Sequence, residues 1–132
     1  MHWVDQYVGR PWVSGAQGPS SFDCWGFVRH VSREVFDREL PEFAVDADDL
    51  RACMATFRDQ TWQSSWLRVT HPVDGDIALL ANGRYASHCG LFVKIDGAGG
   101  AIAHCERGCG VVVASRRRLP WQNIRFYRWA GA

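Results

Sequence analysis

Cys24, His88 and His104 are the residue types that nucleophilic acyl transfer needs: a thiol, a base to activate it, and a polar group to orient the base. The stretch Ser21-Phe22-Asp23-Cys24-Trp25-Gly26-Phe27-Val28 is a short polar turn that runs into an amphipathic segment. Apolar side chains fall at Cys24, Phe27, Val28, Val31 and Val35, the spacing of one helix face. Arg29, His30, Ser32, Arg33 and Glu34 mark the opposite face. Asp23, or Ser20 or Ser21, supplies the N-cap oxygen. Cys24 then sits in the first turn, where free N–H groups and the helix dipole favour a thiolate. A small buried cysteine that seats the helix is the plainer alternative.

His88 and His104 stand at the starts of two neighbouring strands joined by a hairpin. Both side chains can therefore lie on one face near one end of a sheet. If the Cys24 helix packs on that sheet, the thiol and both imidazoles meet. The other histidines fit less well: His30 turns to the polar helix face, His71 precedes Pro72 in a loop, and His2 is terminal.

The elements that must position these groups change period along the chain. Residues 2–8 read as a short helix stopped by Gly9 and Pro11. Residues 10–21 are rich in turn formers and form a loop that delivers the chain to Cys24, with Trp12 its one large aromatic. The Cys24 helix extends to about Arg38, ahead of Pro41. A further helix carries Leu50, Cys53, Met54 and Phe57 on its buried stripe, with Asp46, Asp48 and Asp49 as cap and first-turn charge. Residues 61–70 read as a connector. From Pro72 onward short strands follow: 76–80, 88–95, 101–105, 111–114 and 124–129. Asn82-Gly83 marks a tight reversal, residues 96–100 a hairpin turn, and Arg125 and Arg128 look outward from the last strand. Arg116-Arg117-Arg118 reads as a solvated loop. Helices first and strands afterwards give an α+β fold with a meandering antiparallel sheet.

At 132 residues and 47% hydrophobic, the chain has the size and core material of one domain, residues 1–132. The net charge of +1 gives no reason to expect nucleic acid or a charged membrane surface as a partner. No apolar run approaches membrane-spanning length. The first residues lack the basic start and apolar body of a secretion signal, so synthesis in the cytosol is expected, with delivery elsewhere by another route.

Cysteines stand at 24, 53, 89, 105 and 109, an odd count that argues against a disulfide framework. His88-Cys89, His104-Cys105 and Cys109 raise a zinc-binding structural or assembly module as the rival reading. Against it, consecutive strand residues point to opposite faces, so each His-Cys pair offers only one ligand inward.

Four motifs carry a family resemblance. In order they are Phe22-Asp23-Cys24-x-Gly26-Phe27-Val28, Pro72-x-x-Gly75-Asp76-Ile77, Ser87-His88-x-Gly90-Leu91-Phe92-Val93, and His104 ahead of Gly110-Val111. Together they resemble the NlpC-type cell-wall peptidases, papain-like cysteine hydrolases that cut peptide stems of bacterial peptidoglycan, usually between D-glutamate and a diamino acid. The resemblance implies a papain-like α+β fold, with N-terminal helices packed on a five- to six-stranded antiparallel sheet. It implies Cys24 as nucleophile, His88 as base and His104 as the orienting residue, with no cofactor and no metal. Trp12, Asp23, Trp25 and Ser87 become the expected substrate-binding residues. The stand-alone form is similar to versions encoded with bacteriophage tail genes, which makes phage tail proteins expected partners. Departures from the family pattern are Trp25 after the nucleophile, where a small residue is usual, Cys89 after the base, and Trp12 in place of an upstream tyrosine. An amidase or acyltransferase could use the same triad on another carbonyl.

Overall fold

Helix α1 (Cys24–Phe36) is the element against which the rest is packed. The structure, a computed structural model, describes residues 2–43, 49–60, 65–95 and 99–131. Asp23 alone caps α1: its side chain accepts from the Gly26 amide. At the other end Asp37 turns left-handed, φ 53°, and the Arg38 amide bonds back to the Ser32 carbonyl at 2.9 Å. Phe27, Val28 and Val31 are fully buried, as the apolar stripe requires.

The burial of α1 goes further than the stripe. His30 and Ser32, expected on the solvent face, are also buried. A 3-10 turn (Trp3–Gln6) and the following loop fold across that face, and the Tyr7 ring meets Phe22, Phe27 and His30 edge-on. Periodicity reports one packing partner of a helix, and α1 has two. Burial holds the His30 imidazole below its ordinary range, with the Arg33 charge adding to the effect.

Helix α2 (Leu50–Gln60) is capped by Asp49, whose Oδ1 accepts from the Ala52 amide at 3.1 Å. Cys53 and Phe57 are buried from its inner face. The expected roles of Asp46 and Asp48 fall outside the described residues.

Six antiparallel strands make one sheet: β1 (Trp66–Val69), β2 (Ile77–Ala81), β3 (His88–Val93), β4 (Ala101–Glu106), β5 (Gly110–Ser115) and β6 (Asn123–Trp129). The order across it is β1-β6-β2-β3-β4-β5. Two expectations are corrected here. The stretch read as a connector contains β1, which pairs only with the end of β6 and brings Trp66 opposite Trp129. The sheet is also not a simple meander, because β6 returns across it to lie between β1 and β2. The reversal at Asn82-Gly83 is in turn a longer loop, residues 82–87, closed by the Ser87 amide on the Leu80 carbonyl at 3.1 Å.

Both faces of the sheet are covered. Ile77, Leu79, Leu91, Ala103 and Val111 join the helices in one cluster, while Ala78, Leu80, Phe92, Ile102 and Phe126 form a second cluster on the other face. Leu119 and Trp121, in the connection from β5 to β6, close that second side. The N-terminal segment is laced to β5: the Gly9 amide bonds Val111 O and the Val111 amide bonds Arg10 O, both at 2.9 Å.

Arg128 does not look outward as expected. Its Nε and Nη2 grip the two oxygens of Asp76 at 2.8 and 2.7 Å, and Asp76 is fully buried just ahead of β2. A buried carboxylate needs a fixed counter-charge, and the neighbouring strand supplies it. Among the described residues no helix is long and apolar enough to cross a membrane.

Candidate active site

The turn before Cys24 is held from several directions. Phe22 bridges Trp12 and Gln17, its amide bonds Pro11 O at 3.1 Å, and the Asp23 amide bonds Ala16 O at 3.0 Å. Asp23 uses both carboxylate oxygens on backbone: Oδ1 takes the Gly26 amide at 2.6 Å and Oδ2 the Gly15 amide at 3.2 Å. A Cβ at Gly26 would run into the Ala16 carbonyl, so the glycine two residues after the cysteine is a steric necessity of this loop. Cys105 Sγ donates to Phe22 O at 3.3 Å, joining the loop to strand β4 next to His104.

His88 opens β3 and His104 lies in β4, both on the face that carries the second cluster. Gly90 lets the two strands approach: a Cβ there would stand 2.6 Å from Ala103 O and 3.1 Å from the His104 Cβ. His88 Nε2 lies 2.9 Å from His104 Nδ1. His104 is 2% exposed, and burial, helped by the charge on His88, pulls its pKa down to about 4. With His104 neutral and in the tautomer that accepts at Nδ1, His88 donates its Nε2–H and keeps Nδ1 for the thiol.

Cys24 is half-buried at the end of the sheet, and its thiol is held well below the ordinary thiol range. A hydrogen bond from the Cys89 thiol contributes most. Burial opposes it, and the hydrogen bond and charge of His88 and the Trp25 backbone N–H lower it further. Cys89 itself is fully buried, and burial together with the Cys24 sulfur pushes its own thiol well up. It therefore stays protonated and donates. Thus the structure brings together the three residues expected to meet and adds a fourth, Cys89, that was expected only as an odd substitution after the base or as a ligand in the rival zinc reading.

Trp121 is a second residue that sequence patterns do not single out. Its indole lies on the His88 ring, centroids 4.9 Å apart and planes 17° from parallel, and meets His104 edge-on at 5.8 Å. It belongs to an irregular connection after Pro120, where no periodicity points to a partner.

The expected substrate residues fare differently. Trp25 does not project: it is 7% exposed, its Nε1 donates to Pro41 O at 2.9 Å, and its ring stacks on Phe43 at 4.5 Å. Only part of it lines the cleft beside Cys24, which Gln17, Asp23, Thr56 and Phe57 also line. Asp23 lines that cleft with its oxygens already committed to the turn. Ser87 is half-buried next to His88. Trp12 is half-buried under the Arg107 guanidinium, 4.9 Å from its ring centre, and is not part of that cleft lining. Gln17 Oε1 is buried without a hydrogen bond.

Among the described residues no three His, Cys, Asp or Glu side chains are grouped as metal ligands. The two histidines face each other, Cys89 faces Cys24, Cys105 bonds Phe22 O, and Cys109 is exposed. Burial also pushes the Cys105 thiol up to about 12.

A helix with a cysteine at its start, laid on an antiparallel sheet whose strands present two histidines, defines a papain-like α+β domain. The same architecture recurs in the NlpC/p60 domain of the peptidoglycan hydrolase SagA, with TM-score 0.60 at 23% identity, covering 93% of this chain and 91% of that one. It recurs in NlpC1 from Trichomonas vaginalis, with TM-score 0.65 at 19% identity, covering 96% of this chain and 41% of that one. The chain belongs to the NlpC/P60 family, whose pattern matches residues 9–130. A curated relative is the murein DD-endopeptidase MepS/murein LD-carboxypeptidase of Escherichia coli, 23% identical over 123 residues. The match covers 91% of this chain and 56% of that protein, so the chain spans about half of the relative's length.

Proposed function

We propose that this chain is a cysteine peptidase that hydrolyses peptide stems of bacterial peptidoglycan, at the bond between D-glutamate and the following diamino acid. The observation that carries the proposal is the relay from a lowered Cys24 thiol through His88 to a neutral, buried His104. Cys24 attacks the scissile carbonyl carbon as thiolate, and the carbonyl pair moves onto oxygen. Free backbone N–H groups and the dipole at the start of α1 would stabilise the developing negative charge. His88 Nδ1–H then protonates the departing amine as the C–N bond breaks, leaving a thioester on Cys24. Water, losing its proton to His88, attacks the thioester and frees the acid and the thiolate. His104 holds His88 in the required tautomer throughout.

Support for a wall-peptide substrate comes from family membership and from the relatives that cut murein. A phage-tail setting comes into this proposal from the motif resemblance, and proteomics of purified virions tests it. The decisive experiment for the activity is digestion of purified peptidoglycan, with fragments identified by mass. New termini at D-glutamate that vanish with Cys24→Ala are the expected result. Unchanged peptidoglycan, or equal digestion by Cys24→Ala, overturns the proposal.

A further inference from the structure

The cleft at Cys24 is not the one concave surface near the site. A basin of about 370 Å³ lies on the helix side of the sheet, beyond the inner face of α2. That volume is the scale of a small-ligand site. Its floor is sheet: Arg68 of β1 pairs with Tyr127 of β6, and Arg125 of β6 pairs with Leu79 of β2. Alternation along the strands puts those four on one face. One wall is α2, through Phe57 and Arg58, and the other is the loop between β2 and β3, through Arg84 and Tyr85.

Four guanidiniums therefore surround one depression, and no acidic side chain is among its described lining. Arg58 has Asp59, which is not part of the lining, as an ion-pair partner at 3.1 Å. Arg84 and Arg58 both lie over the Tyr85 ring, at 5.5 and 5.8 Å from its centre, which holds the two heads at the rim. Arg68 and Arg125 are exposed on the floor as diagonal neighbours on adjacent strands, since Arg68 pairs with Tyr127, two residues along β6 from Arg125. The chain as a whole carries only one net charge, so this concentration of positive charge is local. Neighbouring guanidiniums repel one another, and an oxyanion with paired oxygens relieves that repulsion in the fork geometry that arginine prefers.

The basin borders the site already described. Phe57 lines both the basin and the cleft at Cys24. Ala86, on the basin's edge, is two residues before His88. A peptide lying across Cys24 and running along Phe57 would place its next groups over the arginines.

We propose that this basin is an anion subsite that binds the free carboxylates of an acidic wall peptide on one side of the scissile bond. The inference rests on the stem-peptide reading of the Cys24 site for its ligand, and on the arginines alone for its chemistry. The subsite selects stems whose carboxylates are free over stems in which they are amidated, and it does so through binding more than through the chemical step.

The test separates the two readings. Binding of a soluble stem peptide and of its carboxamide analogue is measured by calorimetry on Cys24→Ala protein, with and without Arg68→Gln/Arg125→Gln. Cleavage of the same pair is measured on protein that retains Cys24. The free-carboxylate stem should bind the Arg68→Gln/Arg125→Gln protein about tenfold more weakly, as expected for loss of a charge-assisted hydrogen bond. Its KM should rise similarly, with kcat little changed. The carboxamide stem should be indifferent to the substitutions, and so should both peptides to Arg51→Gln, an exposed charge removed from α2 outside the basin. Rising salt should weaken the free-carboxylate stem's binding to the parent protein and much less to the double variant. Equal losses for both peptides, or no loss for either, overturn the subsite even if the stem is cut normally. Arginine-dependent binding of the stem by a protein that never cuts it keeps the subsite and removes the proposed activity. Inorganic phosphate binding the basin more tightly than the acidic peptide overturns the carboxylate assignment.

Discussion

The His88 imidazole lies flat on the Trp121 indole, 4.9 Å between ring centres, while its Nε2 reaches His104 Nδ1 at 2.9 Å. The base is thus fixed in two directions, by a surface under its plane and by an acceptor at its edge. A stacked indole also favours the imidazolium that forms when the thiol gives up its proton.

Trp121→Ala should therefore lower kcat about tenfold, the scale of one lost stacking or cation–π contact. Trp121→Phe should keep most of the activity. Uncovering His104 should also let its pKa rise from about 4 towards the ordinary range, moving the acid limb of the kcat/KM profile to higher pH. A pH–rate profile of both variants checks this, and unchanged limbs would make Trp121 a packing residue only.

The Cys89 thiol is the largest influence on Cys24, so its removal should be visible in titration rather than in folding alone. The rate of iodoacetamide alkylation of Cys24 against pH should show its inflection shifted upward in Cys89→Ala. Cys89→Ser keeps a donor and should stay nearer the parent. Coincident curves for all three proteins would show that His88 and the helix start suffice.

His104 predicts a pH dependence of stability with a definite sign. Its folded pKa of about 4 lies below the ordinary value of 6.5, so the unfolded chain binds the extra proton first as pH falls. The stability that neutral His104 contributes is complete above about pH 6.5 and is lost as pH falls to about 4, a change on the order of 3 kcal/mol. Thermal melts from pH 7 to 4 should fall less steeply for His104→Gln than for the parent protein. In activity the expected order is parent, His104→Asn or Gln, His104→Ala, then His88→Ala, because an acceptor can still orient the base.

Arg128→Ala leaves Asp76 buried without its counter-charge and should destabilise the fold by about 3 kcal/mol. Asp76→Ala/Arg128→Ala should cost less than the sum of the two single changes, because each single variant strands the other group. Denaturant melts of the four proteins close the cycle. Additive effects would mean that the pair contributes through packing alone.

Much of this arrangement was legible in the chain because it is written locally. The α1 stripe, the Asp23 cap and His88 at the start of β3 each need only a few neighbouring residues to be seen. His104, expected at a strand start, lies instead towards the end of β4, which is the end that antiparallel pairing sets beside His88. What was not legible depends on contacts between distant segments. Strand β1 is four residues long with no alternation of burial, and it exists because β6 offers an open edge. His30 looked solvated because nothing near it in sequence announces that Tyr7 and Phe22 will cover it. Trp25 looked like a groove residue by its place beside Cys24, whereas Phe43 and Phe57 claim its ring. Arg128 matched the outward phase of β6, yet a buried carboxylate on β2's approach captured it.

The hydrogen bonds from Gly9 and Val111 that lace the N-terminal segment to β5, and the Cys105 bond to Phe22 O, join the two ends of the chain across the site. The nucleophile is delivered by the first part of the sequence, while its base, orienting acceptor and thiol donor all belong to strands made much later. On a ribosome the helix of Cys24 can form early, since helices close through near neighbours. The lowered thiol cannot, because every side chain that lowers it arrives with β3. An incomplete or opened chain therefore keeps only what the helix start contributes and lacks the parts of Cys89 and His88. The order of synthesis itself keeps the thiol quiet until the sheet has closed.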